Sequence, residues 1–246
     1  MKRIANTLLF FVALTSFAQN DVVVQLEKFD ELKVYNGLQV NLIKSDEHKV
    51  VITGERASEV TVKNKKGVLK IALDLASTFN SKKAKIDLYY NSNIAELDAN
   101  QGAVISSKEV FTQTQLKLSS QDGAYIKLNV AVDYLNVKGI TGGNIQLKGN
   151  TKSQNVNMVS GANYEAANLI SEQATIYVST GAEVEVQVTE AMDAKVKFGG
   201  TILYSGRPKS VTTEKSLGGK ITKAAPIKEE TEQNTAVKEV EINEEI

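Results

Sequence analysis

The chain has 246 residues with 29 basic and 29 acidic side chains; 42% of its residues are hydrophobic and 6% are aromatic. This length allows one sizeable domain. The absence of cysteine excludes disulfides and thiol chemistry, and the balanced charge gives no support for a nucleic-acid partner.

The N-terminus has the pattern of a secretory signal peptide. Lys2 and Arg3 precede a short apolar run at residues 8–14, and Ala18 follows as a small residue at the cleavage position. We expect residues 1–18 to be removed on export. The run is too short to span a bilayer, so we expect no transmembrane segment after cleavage. The alternative is a buried N-terminal strand or helix.

Residues 19–95 read as strands with a less regular pattern. Leu32 lies five residues before Gly37, and Val40 lies three residues after it. Further strands are expected at residues 50–52, 60–62, 68–73 and 85–89, with a hairpin around Lys66-Gly67 and a polar loop at residues 74–84. We interpret this region as the first coils of a repeat plus a capping hairpin.

The stretch from Leu97 to Tyr204 repeats one unit six times. Each unit has a glycine followed by a small residue, with an apolar residue five positions before and three after the glycine. The glycines, at steps of 18 to 21 residues, are Gly102, Gly123, Gly142, Gly161, Gly181 and Gly199. The small residues are Ala103, Ala124, Gly143, Ala162, Ala182 and Gly200.

A period of about 20 residues is typical of β-solenoids. Between the glycines polar and apolar residues alternate, which places one face in a core and the other in water. Glycine at a fixed phase indicates a turn with positive φ. We therefore predict an all-β solenoid of coils of about 20 residues, each with two short strands, stacked about 4.8 Å apart. An antiparallel β-sandwich is the main alternative.

Two sets of positions should point outward. The first set, four residues before each glycine, is Asp98, Ser119, Lys138, Asn157, Tyr177 and Lys195. The second set, four residues after each glycine, is Ser106, Lys127, Gln146, Glu165, Glu185 and Leu203. Such a mixed polar surface can bind glycans or proteins through hydrogen bonds, or it can simply be a soluble exterior.

No catalytic constellation stands out. His48 is the single histidine and lies in a charged turn, which favours a solvated side chain over a metal ligand or a member of a catalytic triad. The carboxylates considered for polysaccharide chemistry are Asp98, Asp122, Glu165, Glu183 and Glu185. Only Glu165 and Glu185 share a phase and should stack on neighbouring coils. We predict no catalytic, cofactor-binding or metal-binding residue.

The repeat is expected to break at Gly206-Arg207-Pro208, because proline cannot donate to a β-ladder. One last turn and strand should follow at residues 217–221. We assign residues 19–222 to the solenoid domain. We predict that residues 223–246, rich in glutamate, form a disordered acidic tail, with a short exposed helix as the alternative.

The order of these signals resembles the putative auto-transporter adhesin, head GIN domain family. The resemblance covers about residues 25–222. It is carried by residues 29–42, 50–54 and 67–73, the Gly-Ala and Gly-Gly turns, the stretch 199–208 and residues 217–221. The turns read Asp-Gly-Ala, Ser-Gly-Ala and Thr-Gly-Ala, whereas those of the family often read Gly-Ser-Gly. The resemblance implies an exported, right-handed parallel β-helix with a role in adhesion.

The functional hypothesis is an exported, non-enzymatic adhesion or binding module in the periplasm or on the outer surface. A glycan or a surface protein would be its partner, and no cofactor is expected. Two alternatives stay open. One is an enzyme that acts on polysaccharide through outward carboxylates; the other is an envelope structural protein that self-associates through its coil ends.

Overall fold

The computed structural model describes residues 21–73 and 84–224. These residues form β-strands and one short 3₁₀ turn at Ala57–Glu59. The strands are β1 (Val22–Gln25), β2 (Glu31–Val34), β3 (Gln39–Lys44), β4 (Lys49–Thr53), β5 (Val60–Lys65), β6 (Val68–Leu73), β7 (Lys85–Tyr90), β8 (Glu96–Asn100), β9 (Val104–Gln121), β10 (Tyr125–Ile140), β11 (Asn144–Met158), β12 (Asn163–Val178), β13 (Glu183–Val196), β14 (Thr201–Gly206), β15 (Ser210–Lys215) and β16 (Lys220–Lys223).

Three predicted segments fall wholly or mostly outside the described residues. These are the signal peptide at residues 1–18, the loop at 74–84 and the acidic tail at 223–246; the description leaves out residues 1–20, 74–83 and 225–246. These assignments therefore remain predictions. Within the described part of the chain, no helix is long and apolar enough to cross a membrane.

Strands β9 to β13 stack in parallel and in chain order. Between β10 and β11, Ile126 lies opposite Ile145 and Val137 lies opposite Val156. The whole stack makes about seven turns of about 19 residues. The predicted β-solenoid is confirmed, and the antiparallel sandwich is excluded for these coils.

Each coil contributes to two ladders, one on either side of the glycine turn. The post-turn ladder contains β3, β7, the first parts of β9 to β13, β14 and β16. The pre-turn ladder contains β2, β6, β8, the second parts of β9 to β13 and β15. Residues at the same phase of successive coils therefore form straight columns on the surface and in the core.

The repeated glycines form one column of turns, as predicted. All six have φ between 68° and 73°. Each donates its backbone N–H to the carbonyl of the residue before the next glycine in the column, over 3.0–3.1 Å. The small residues after the glycines are buried; a Cβ on Gly143 would lie 2.0 Å from the Ser120 carbonyl oxygen. The small neighbour is thus required by the close approach of stacked turns.

The residue before each glycine also adopts positive φ, which the sequence did not predict. At Thr141 this angle is 49° and at Ser160 it is 55°. Two successive left-handed residues define a type I′ turn, and Ala103 closes one such turn by donating to the Asn100 carbonyl over 3.1 Å. Asn-Gly and Asp-Gly are the usual signals of this turn, and most of these turns lack them.

The core contains the apolar residues that flank the turns. The residues five before the glycines are Leu97, Leu118, Val137, Val156, Ile176 and Ala194, and each is at most 2% exposed. The residues three after the glycines are Ile105, Ile126, Ile145, Tyr164, Val184 and Ile202, with the same limit. The predicted register is therefore confirmed on both sides of the turn.

One polar cluster lies inside this apolar core. The Tyr164 hydroxyl donates to Gln154 Oε1 over 2.9 Å, and Gln154 Nε2 donates to Ser171 Oγ over 2.8 Å. Ser171 Oγ in turn donates to the Gln187 carbonyl over 2.8 Å. Burial raises the pKa of the Tyr164 hydroxyl well above its usual value. The cluster links successive coils and leaves these buried polar groups satisfied.

The expectation of two short strands per coil is wrong. Strand β10 runs without interruption over Tyr125–Ile140. The alternation of buried residues slips by one position at Asp133-Tyr134, where neither residue is buried. The backbone pairing between β10 and β11 continues directly after this position. The chain therefore bends there without ending the strand.

The N-terminal coils do not stack in chain order. β2 lies between β6 and β8 in the pre-turn ladder, and β3 lies between β7 and β9 in the post-turn ladder. The first coil of the chain is therefore the second coil of the stack. Beyond it, β1 and β4 close one ladder and β5 closes the other through antiparallel pairs. The predicted hairpin at Lys66-Gly67 joins β5 to β6 in this cap.

The C-terminal end follows the predicted order with one addition. β14 ends at Gly206, as expected before Pro208, and the turn at Leu217-Gly218 leads into β16. Between them the structure contains β15, which pairs with the second part of β13 and was not predicted. A single proline therefore interrupts the ladder for only a few residues.

Candidate functional site

The second predicted outward row forms a column on the post-turn ladder. Its members pair in the order Ser106, Lys127, Gln146, Glu165, Glu185 and Leu203. The predicted stacking of Glu165 beside Glu185 is confirmed. Asp98, Asp122 and Glu183 lie on other columns, as the phase of each indicated.

Polar side chains on this ladder bind one another. Tyr125 Oη donates to Gln146 Oε1 over 3.0 Å, and Gln146 Nε2 donates to Glu165 Oε2 over 2.8 Å. Asn163 Nδ2 donates to Glu165 Oε1 over 3.0 Å. Burial is the larger cause that raises the pKa of Tyr125, and the negative charge of Glu165 raises it further. Much of the hydrogen-bonding capacity of this surface is therefore already used within the protein.

A shallow depression of about 320 Å³ lies on the same ladder. The register shifts between Gln146 and Lys148 where β11 meets β12, and the depression lies beside this irregularity. Its rim contains Lys127, Glu165 and Glu185. Both oxygens of Glu165 accept bonds from amide groups, which fixes that carboxylate in place but leaves it little capacity for a ligand.

The pre-turn ladder has a different surface. Two neighbouring columns cross β10, β11 and β12 there. The first column contains Asn136, Asn155 and Thr175, and the second contains Lys138, Asn157 and Tyr177. We call these six residues the amide patch. Five are exposed, and Tyr177 is half-buried. None of the six side chains makes a hydrogen bond or an ion pair with any residue that the structure describes.

Ion pairs flank the amide patch on both sides. Lys117 lies 3.0 Å from Glu96, and Lys195 lies 2.5 Å from Glu214. A groove of about 190 Å³ follows the patch, lined by Asn136, Lys138, Asn155 and Asn157 together with Lys117 and Val137. The patch is thus a weakly basic, uncompensated region between two paired ones.

The chemistry of the amide patch suits hydroxyl-rich ligands. Each asparagine offers two N–H donors and a carbonyl acceptor, and coils repeat these groups about every 4.8 Å. Tyr177 adds an aromatic ring with an apolar face and a polar tip. Because the side chains stand on paired strands, the spacing of these groups is fixed before a ligand arrives.

The first predicted outward row already contained half of this patch. Lys138, Asn157 and Tyr177 were placed outward by the glycine register, and the structure confirms that none is buried. Asn136, Asn155 and Thr175 were missed as site residues. The signal was present in the same register, two positions earlier, but their lack of partners depends on neighbouring coils.

His48 occupies the N-terminal cap, where the sequence favoured a solvated side chain. Its ring is half-buried and packs edge-on against Phe29, with ring centroids 5.3 Å apart. Burial of the ring is the larger cause that lowers the pKa of His48, and the positive charge of Lys28 lowers it further. Across the described ranges, no group of three or more His, Asp or Glu side chains is arranged to hold a metal ion.

Comparison with known proteins gives a family and a fold. A family model described as putative auto-transporter adhesin, head GIN domain, matches residues 28–208. No curated protein matches the chain.

Several crystal structures share the fold. A putative adhesin from Bacteroides fragilis aligns with a TM-score of 0.78 and 19% identity, over 85% of this chain and 98% of that one. A putative adhesin from Parabacteroides distasonis aligns with a TM-score of 0.68 and 22% identity, over 83% of this chain and 96% of that one. A putative lipid binding protein from the same species aligns with a TM-score of 0.67 and 15% identity, over 84% of this chain and 96% of that one.

Proposed function

Since this chain belongs to the putative auto-transporter adhesin, head GIN domain family, we propose that it is an exported adhesion module that binds a neutral or weakly acidic glycan through the amide patch. The observation that supports the proposal is the contrast between the two ladders. Polar groups on the post-turn ladder bind each other, whereas those of the amide patch have no partner in the described structure.

The physical argument concerns the cost of desolvation. A sugar that docks on the post-turn ladder would have to displace hydrogen bonds that already exist. A sugar on the amide patch replaces only water, and each bond gained contributes about 1 kcal/mol. The rigid backbone lowers the ordering cost, since the spacing of the side chains along and between coils is already set.

A glycan array with the mature protein tests this proposal. The variant Asn136→Ala/Asn155→Ala should bind the recognised glycan roughly tenfold more weakly or worse, because two hydrogen-bonding groups are lost. The matched control is Asn168→Ala, an exposed amide on the post-turn side. Unchanged affinity for the double variant, or a loss confined to the control, would contradict the proposal.

The absence of catalysis is tested on the same glycans. Incubation with each recognised glycan should yield no new reducing ends and no unsaturated products. Product formation that disappears in Glu165→Gln would instead support an enzyme that acts through the depression on the post-turn ladder.

A further inference from the structure

The last two turns of the glycine column expose large apolar side chains. Phe198 and Leu217 are 55% and 67% exposed, and each directly precedes the glycine of its turn. The Gly199 N–H donates to the Leu217 carbonyl over 3.1 Å, so these two turns are neighbours. The earlier turns of the column have a polar residue at this position: Asn36, Gln101, Asp122, Thr141, Ser160 and Thr180.

Folding does not account for these two apolar side chains. Phe198 and Leu217 adopt positive φ, at 49° and 50°, a conformation that bulky residues disfavour. Asparagine would suit both this backbone conformation and the contact with water better, and Asn36 occupies the same position in the first turn of the column. A contact outside the chain therefore explains the choice of Phe198 and Leu217 better than the stability of the fold does.

The same two turns are basic. Residues 195–201 and 214–220 carry four lysines and one glutamate, a net charge of +3. Lys195 lies 2.5 Å from that glutamate, Glu214. The other three lysines form no ion pair with any residue that the structure describes: Lys197, Lys215 and Lys220. Two exposed apolar side chains are thus surrounded by three cations that have no partner in the described part of the chain.

We propose that these five residues (Lys197, Phe198, Lys215, Leu217 and Lys220), which we call the docking corner, bind an anionic phospholipid surface. Phe198 and Leu217 enter the boundary between headgroups and acyl chains, and the lysines contact the anionic headgroups. A stable protein interface buries about 800 Å² on each partner, which two side chains at a turn do not provide. A lipid surface, in contrast, accepts protruding side chains without a preformed pocket.

Co-sedimentation of the mature protein with lipid vesicles tests the proposal. The wild type should bind vesicles of phosphatidylcholine and phosphatidylglycerol in equal amounts, and Phe198→Asn/Leu217→Asn should bind them roughly tenfold more weakly or worse, because both apolar anchors are lost. Asparagine tolerates positive φ, so the thermal midpoint of this variant should not fall.

The matched control is Val110→Thr/Ile170→Thr, which changes two apolar residues of β9 and β12 that are 55% and 48% exposed. This variant should bind the vesicles like the wild type. The proposal is overturned if the wild type does not bind, or if the asparagine variant binds as tightly as the wild type.

Vesicles of phosphatidylcholine alone test the role of the lysines. The wild type should bind them roughly tenfold more weakly than the anionic vesicles, and Lys197→Gln/Lys215→Gln/Lys220→Gln should lose this preference. Residues 225–246 carry a net charge of −5, and because the test uses the whole mature chain, their repulsion from the anionic lipid is included in the result. Equal binding of the wild type to both kinds of vesicle overturns the proposal.

Two measurements separate this proposal from other roles of the docking corner. Light scattering without lipid should show no association that depends on Phe198 and Leu217; a dimer that the asparagine variant loses would assign the corner to a second copy and overturn the proposal. The amide patch lies on earlier coils, so Asn136→Ala/Asn155→Ala should bind vesicles like the wild type. Failure of glycan binding and failure of lipid binding are therefore distinguishable.

Discussion

Nine non-glycine residues in the described chain adopt positive φ, and every one directly precedes a glycine. Four have the β-branched or bulky side chains that this conformation disfavours most, namely Thr141, Thr180, Phe198 and Leu217. At Thr141, Thr180 and Phe198 the stacked turns impose the conformation, because the N–H of the following glycine donates to a carbonyl of the next turn. Strain at these positions is therefore a local cost of the column.

We expect Thr141→Asn to stabilise the protein. Thr141 is exposed and has a φ of 49°, and asparagine tolerates this region better than a β-branched residue. The gain should be about 1 kcal/mol, or roughly 2–4 °C in thermal midpoint for a domain of this size. Differential scanning calorimetry measures it.

The control for this prediction is Thr112→Asn, at an exposed strand position. There the extended backbone favours threonine, so asparagine should lower the midpoint slightly. A loss of stability in both variants would show that positive φ at residue 141 carries no strain.

At the scale of the element, each coil is fixed by the small residue after its glycine and by two apolar residues that flank the turn. Local pattern alone predicted these positions, because a turn and an alternating strand are short-range features. The uninterrupted strands were not predicted. A bend such as that at Asp133-Tyr134 preserves the ladder only because neighbouring coils bend at the same place.

Replacing a small turn residue should cost far more than changing an outward one. Ala182→Leu, at a fully buried position, should lower stability by about 1–3 kcal/mol through overpacking, and Ala162 should behave alike. Lys127→Leu, at an exposed position, should change stability by about 0.5 kcal/mol or less. Substitutions of Glu165 that keep the size of its side chain should have an equally small effect. Thermal unfolding provides the comparison, and equal shifts in the two sets would contradict the register.

At the scale of the whole molecule, each coil makes most of its contacts with its immediate neighbours, so stability should depend on position in the stack. Coils β10 to β12 have a neighbour on both sides, whereas β1 and β15 each lie at an end of the paired strands. We expect the slowest amide exchange in β10 to β12 and progressively faster exchange toward both ends, as measured by mass spectrometry. Uniform exchange along the stack would indicate a single cooperative unit.

The sequence by itself determined the solenoid, its period, the glycine column and the core register, because every coil repeats the same short-range pattern. It also placed Lys138, Asn157 and Tyr177 outward. The tertiary structure decided the rest: the inserted first coil, the paired left-handed residues of the turns, and the contrast between a self-bonded ladder and the amide patch. These features depend on which coils become neighbours, and contacts between residues about 20 positions apart leave no local signal in the chain.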